Sequence, residues 1–265
     1  MKIKWGDFSY LCIMYLHVLC EVLSAEYPSC WKSMHVSRRA LFSIALHLSL
    51  AGAFLLLALR MFFAGTDGYF FLVWNVFLAA IPYAMAVWFE RIAVRQGHMT
   101  WILRGFFLFW LFFFPNAPYI VTDFVHLPWE YTQSKAFAYD FSLIGAFAAV
   151  GLLFGMGSLF RMHRALRNLC GLAWSSFAVG VAIILSGFGV YLGRFLRWNS
   201  WDAFLNPFDV LRDTVSHYGD PAWFARAVTL SIFFSACIGL GYLFFLALYW
   251  LIGVLEDREH AGSGE

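Results

Sequence analysis

Two short polar runs interrupt an otherwise apolar chain. The first, FFFPNAPYIVTDFVHLPWE, places Asn116, Tyr119, Asp123, His126 and Glu130 at steps of three, four, three and four. If the chain after Pro118 is helical, the members from Asn116 to His126 share one stripe. Pro128 ends that helix, so Glu130 can leave the stripe. A carboxylate and an imidazole at i, i+3 can share a proton or bind one metal ion. Asp123 and His126 are therefore the candidate catalytic pair, and Asn116 and Tyr119 candidate binding groups. Two ligands do not complete a metal site. Glu130, Asp202 or His217 would have to supply the rest, and no metal is assigned. The plainer alternative is a solvated or capping Asp123 and an interfacial His126.

The second run, YLGRFLRWNSWD, carries Arg194 and Arg197 three residues apart, followed by Asn199, Ser200 and Asp202. On a final helical turn the two guanidinium groups are neighbours. Two such forks can hold a phosphate, a lipid head group or a carboxylate. Arg194, Arg197, Asn199 and Asp202 join the candidate binding residues. The competing reading is an aromatic belt of Trp198 and Trp201 with snorkelling arginines. It accounts for the Trp and Arg residues but asks nothing of Asn199 or Asp202.

The elements that must position these groups follow from composition. The chain is 62% hydrophobic and 13% charged. A soluble domain is about half apolar and a quarter charged, so this chain needs a bilayer. The net charge of +2 does not suggest nucleic acid. A spanning helix needs about 20 mostly apolar residues. Six stretches qualify: 41–63, 69–89, 101–122, 137–160, 171–193 and about 226–254. The expected fold is an all-α polytopic membrane bundle of about six transmembrane helices. Pro82 can kink the second helix. Pro115 and Pro118 remove two backbone donors deep in the third, which should break or kink there and face the bundle interior.

Basic residues set the orientation. Lys32, Arg38, Arg39, Arg91, Arg95, Arg104, Arg161, Arg164 and Arg167 fall on one side, nine in all. Arg60, Lys135, Arg194, Arg197, Arg212 and Arg226, six in all, fall on the other, with the acids Asp67, Asp123, Glu130, Asp140, Asp202, Asp209, Asp213 and Asp220. Both termini are expected in the cytoplasm and the protein in the cell membrane. Helices three and five then both run outward, so the two motifs end on the extracytoplasmic side. Asp123 could pair there with Arg194 or Arg197.

The remaining segments are divided by composition. Residues 34–255 form one transmembrane domain and 256–265 a short polar tail. Residues 1–33 read as an extension of undefined structure, with a short seventh membrane segment as the alternative. A signal-peptide reading is weakened by His17 and Glu21, and Met34 opens a stretch resembling a natural membrane-protein start. Residues 203–225 predict an interfacial helix. Asn206 can cap it, Pro207 fits its first position, Gly219 can end it, and Phe208, Leu211, Val215 and Tyr218 form an apolar stripe. That helix could lie on the membrane as a lid. His217 reads as a solvated surface residue. The five cysteines form no CxxC pair, so no disulfide framework or zinc site is expected. Gly151 with Gly155 and Gly189 with Gly193 are two GxxxG pairs, a spacing that permits close helix approach but is also common in membrane helices.

The two polar runs, with WLFFFPNAPYIVTDFVHL and FGVYLGRFLRWNSWD at their centres, resemble the signature segments of the bacterial and archaeal membrane proteins grouped as domain of unknown function 1361. The resemblance covers roughly residues 45–255, with the first 33 residues outside the pattern. It implies a prokaryotic membrane protein and marks the motif positions. It implies no activity, substrate or cofactor. Three functions stay open. One is a protein that binds or transports an anionic small molecule or lipid head group. The second is a membrane enzyme acting on a lipid or lipid-linked phosphate, with Asp123 or His126 as acid–base group. No HExxH, GxSxG or P-loop supports it. The third is a structural or assembly partner whose polar motifs form a buried ion-pair lock.

Overall fold

The computed structural model describes residues 38–64, 68–127, 134–198, 200, 202–218 and 221–262. The expected extension at residues 1–33 lies outside them, as do Glu130, Asn199 and Gly219. All regular structure among the described residues is helical. Helix α1 covers Arg38–Ala64, α2 Phe71–Gln96 and α3 Trp101–Phe113. A single turn, α4 (Asn116–Tyr119), leads into a 3₁₀ helix, Ile120–His126. Helix α5 runs from Lys135 to Tyr191 and passes into a π turn, Leu192–Leu196. The short α6 (Asp202–Leu205), α7 (Pro207–Tyr218) and α8 (Pro221–Gly262) complete the chain. The backbone of 256–262, expected as a polar tail, continues α8. Among the described residues, five stretches are long and apolar enough to cross a membrane: Leu41–Phe63, Phe71–Gln96, Trp101–His126, Ala136–Leu196 and Pro221–Val254.

The fourth of these is not straight. Gly171 takes φ 83°, ψ 172°, a conformation outside the helical region that glycine adopts at no steric cost. Contacts on either side show the consequence. A Cβ at Gly155 would lie 3.2 Å from Ala117 Cβ, and one at Gly189 2.7 Å from Pro115 Cγ. Gly155 and Gly189 would be about 50 Å apart on a straight helix. Pro115 and Ala117 are two residues apart, so the chain must fold back at Gly171. Residues 161–170, expected to lie in the loop between the fourth and fifth helices, are instead helical, and carry Arg161, Arg164 and Arg167. The alternative hydrogen-bonding chances of a loop lose to continued helix because no proline interrupts the stretch.

Both arms of α5 therefore clasp the segment 115–120. On the first arm, a Cβ at Gly151 would clash with the Ile120 side chain and lie 3.1 Å from the Ala117 carbonyl oxygen. On the second, a Cβ at Gly193 would come 3.2 Å from the Tyr119 ring. In lipid there is little hydrophobic drive between helices, so close backbone contact and van der Waals packing supply the association. Both GxxxG pairs serve that contact.

The bundle interior divides into two apolar clusters. One joins α1, α2 and the first arm through residues such as Leu50, Val76 and Phe147. The other centres on Phe89, Trp110 and Met162. A buried polar relay stitches the second together. Trp110 Nε1 donates to Ser158 Oγ at 2.8 Å, and Ser158 donates to the Pro82 carbonyl at 2.8 Å. At the end of the bundle away from the two motifs, Glu90 accepts from Arg161 at 2.9 Å and also pairs with Arg164. The outer surface is apolar: Leu48, Phe62, Ile232 and Leu243 are exposed, as lipid contact requires.

Replacing Gly151 with leucine should force Ile120 and the Ala117 carbonyl away and lower stability by about 1–3 kcal/mol or more. A thermal melt in detergent micelles measures this. Gly180→Ala, at a position with open space around it, should leave the midpoint unchanged.

Candidate functional site

The helical path through Trp101–His126 changes its hydrogen bonding at the prolines. Phe114 closes α3 by donating to Trp110, Ala117 donates to Phe114, and Tyr119 donates to Pro115. From Ile120 the tighter 3₁₀ form takes over. It rotates side chains faster per residue than an α-helix. The expected single stripe from Asn116 to His126 is accordingly divided. Asn116 and Tyr119 face one side, while Asp123 turns inward and is 1% exposed.

Asp123 is the centre of a buried polar cluster. Its Oδ2 accepts from Asn75 Nδ2 at 2.7 Å, and its Oδ1 accepts from Arg194 Nη2 at 3.2 Å. Arg194 spends its remaining donors nearby. Its Nε donates to Thr122 Oγ1 at 2.9 Å, and Thr122 in turn donates to the Tyr119 carbonyl at 2.6 Å. The Arg194 guanidinium lies over the Tyr119 ring, 5.0 Å from its centroid. Its Nη1 is 3.4 Å from His126 Nε2. A guanidinium has no lone pair, so that weak contact requires Nε2 to accept. His126 also packs its ring against Phe71, 4.9 Å between centroids.

The two arginines part company. Expected as neighbouring forks on one helical turn, they are separated by the π turn and by Arg197 itself, which sits at φ 60°, ψ 26°. A left-handed non-glycine residue reverses the backbone direction. Arg194 thus points into the bundle and Arg197 is exposed, with no ion pair among the described residues. Asp123 pairs with Arg194 and not with Arg197. Asp202 opens α6 and is partly buried. Asn199 lies outside the described residues, and of His217 only the backbone, within α7, is described. Among the described residues no three His, Cys, Asp or Glu side chains gather so as to hold a metal ion.

Beside the ion pair lies a cavity of about 470 Å³ between α2, α3, α4 and the second arm of α5. Asn75, Asn116, Tyr119 and Ser200 supply its polar wall. Asn116 Nδ2 donates to Ser200 Oγ at 2.9 Å and to the Phe113 carbonyl at 3.0 Å, so the two motifs touch here. Apolar side chains supply the rest, among them Leu78, Phe112 and Leu185. Val210 of α7 also reaches the cavity, and α7 is tied down where Trp198 Nε1 donates to Asp213 at 2.9 Å. Helix α7 begins at Pro207, as its sequence predicts. Asp123 and Arg194 do not line the cavity.

Sequence reasoning missed Asn75, Thr122, Ser200 as a cavity group, and a second ion pair. Asn75 had a usable signal: it is the one amide in the apolar stretch 69–89, and polar groups at membrane depth are costly without a partner. The second pair joins Arg60 Nε to Asp140 Oδ1 at 2.5 Å, and Tyr69 donates to Asp140 Oδ2 at 2.8 Å. Burial first, and then that hydrogen bond, push the Tyr69 phenol up to about 12. It keeps its proton, and so remains a donor, across the neutral range.

The buried pair makes a stability prediction. Arg194→Met leaves the Asp123 carboxylate with only Asn75 and should cost about 3–5 kcal/mol. Adding Asp123→Asn to that variant removes the stranded charge and should recover part of the loss. Detergent thermal melts of the two single variants and the double variant read the coupling. Additive losses would mean that the pair does not hold the helices together.

No curated protein and no solved structure matches the chain. The model of the family described as "Protein of unknown function (DUF1361)" matches residues 74–249. That match contains Asn75, both polar motifs and the cavity they border. It is shorter than the resemblance at the motifs implied, because the whole of α1 and the last turns of α8 fall outside it. With well over half of the chain matched, this membrane-type helical protein belongs to the DUF1361 family.

Proposed function

We propose that the chain crosses the bilayer of the cell membrane six times, with both termini in the cytoplasm, and binds an anionic small molecule or lipid head group at the extracytoplasmic end. The fold-back at Gly171 makes the Ala136–Leu196 stretch two crossings. In this reading the third helix is proline-broken at Phe114 and Pro115. The excess of Lys and Arg on the other side of the bundle supports the orientation.

The observation that carries the binding reading is the cavity bordered by both motifs. Its volume suits a small ligand, and the Tyr119 and Ser200 hydroxyls can donate at one end, where Asn116 orients Ser200. Arg197 does not itself line the cavity, but it directly precedes Trp198, which does, and it is the exposed cation left for an anionic group, since Arg194 is committed to Asp123. The anion site therefore shifts from two arginines to one arginine with neutral donors. A charge-assisted bond from Arg197 would contribute about 1.5–3 kcal/mol.

The lock reading keeps support at the expected pair of Asp123 and Arg194. Asp123, held by Asn75 and Arg194, supports a structural role for that pair: it fixes the cavity wall. The enzyme reading draws little support. Both Asp123 oxygens are occupied and the carboxylate is away from the cavity.

A cysteine at Ser200 reports occupancy. Glycerol 3-phosphate should slow maleimide labelling of Ser200→Cys in detergent-solubilised protein, relative to the unsubstituted chain. Adding Arg197→Ala should raise the concentration needed by roughly tenfold, equivalent to about 1.4 kcal/mol. Labelling that ignores glycerol 3-phosphate would remove the soluble-anion form of the reading.

A further inference from the structure

The cavity is graded along the membrane normal, and two of the helices that line it carry the grading. Helix α2 runs away from the motif end, and places Trp74 and Asn75 before Leu78. The third crossing runs toward that end, and places Leu111 and Phe112 before Asn116 and Tyr119. The second arm of α5 also runs toward it, and places Leu185 and Phe188 before Gly193. Helix α2 and the third crossing thus put their polar lining at the motif end and their apolar lining toward the membrane centre, while the second arm of α5 supplies only apolar side chains and glycine. From Phe112 to Tyr119 the gradient spans about 10 Å.

The two ends of the cavity meet different surroundings. At the motif end it is covered by Val210 of α7, held through the Trp198 to Asp213 bond of 2.9 Å. Helix α7 turns Phe208, Leu211 and Val215 outward, at 84%, 61% and 60% exposure. Such a stripe is stable against water only when it is immersed in a membrane interface. On the lateral side, Phe112 and Leu185 belong both to the cavity lining and to the exposed apolar surface, at 46% and 45% exposure. Phe112 lies near the middle of Trp101–His126, and Leu185 near the middle of the second arm that follows Gly171. The cavity wall there is continuous with the surface that meets lipid.

A water-soluble anion needs none of this. It would gain nothing from an apolar floor and would have to pass the α7 cover. An outer-leaflet phospholipid fits each feature. One acyl chain would enter laterally between the third crossing and the second arm of α5, with its glycerol and phosphate at the Tyr119 and Ser200 end, on the side where the chain continues from Arg197 into Trp198. We infer that the ligand of this site is a membrane phospholipid, taken from the bilayer with one acyl chain inserted between these helices. This deepens the binding reading above and rests on it.

Photocrosslinking in vesicles separates the possibilities. The full chain is reconstituted into vesicles of phosphatidylethanolamine and phosphatidylglycerol, with a trace of phosphatidylglycerol carrying an acyl-chain diazirine. Adducts are mapped by peptide mass spectrometry. Leu78 lines the cavity yet is 8% exposed, whereas Ile184 faces lipid at 63% exposure. An inserted chain labels Leu78 as well as Ile184. Leu78→Trp, which fills the deep end, should then abolish adducts at Leu111 and leave those at Ile184 unchanged. Adducts at Ile184 without any at Leu78 in the unsubstituted protein overturn the inference. If glycerol 3-phosphate still protects Ser200→Cys in that case, the site takes a soluble anion and the binding reading stands. If it does not, both fail together.

Discussion

Residues 115–120 lie against glycines on both arms of α5, and the rest of the structure is arranged around that contact. Two prolines within four residues leave backbone groups that lipid cannot satisfy. Such a segment has to be enclosed by protein. Enclosure from two sides requires small residues on both neighbours, which Gly151 and Gly155 supply on one arm and Gly189 and Gly193 on the other. It also requires the two arms to be antiparallel, which the positive φ of Gly171 permits.

The polar chemistry follows from the same enclosure. Once the third crossing is wedged between the arms, the 3₁₀ turn after Tyr119 carries Asp123 into the bundle, where an unpaired carboxylate would be prohibitively costly. Asn75 and Arg194 meet it from α2 and from the π turn. The π turn and the left-handed Arg197 in turn release the second arginine to the surface. One motif thus supplies a lock and an exposed cation from residues three apart. The cavity is what remains between α2, the third crossing and the second arm, because the bulk of the wedge holds those helices apart beside it.

Much of this was legible in the chain before any fold was known. The apolar stretches announced a membrane bundle because no soluble core could bury so much apolar surface. Pro115, Asn116 and Pro118 marked irregular backbone that had to face inward. Asp123 and an arginine from the second run were expected to meet because both motifs should end on one side. Pro207 marked the start of α7, since a proline costs nothing at a first helical position. The GxxxG spacings were visible, though spacing alone does not distinguish a packing face from ordinary membrane-helix composition.

What the sequence determined by itself is the class of the protein and the inventory of its polar residues, because hydropathy, proline and charge act locally and can be read from neighbours in the chain. The tertiary structure decided which of those residues face one another. Arg194 and Arg197 are equivalent by spacing, and only the local winding of the helix end separates them. Asn75 and Ser200 are far in sequence from the groups they bond, so no periodicity could pair them with Asp123 and Asn116. The cavity belongs wholly to tertiary structure, since it is formed by the distance between helices, and that distance is set by the wedge at 115–120.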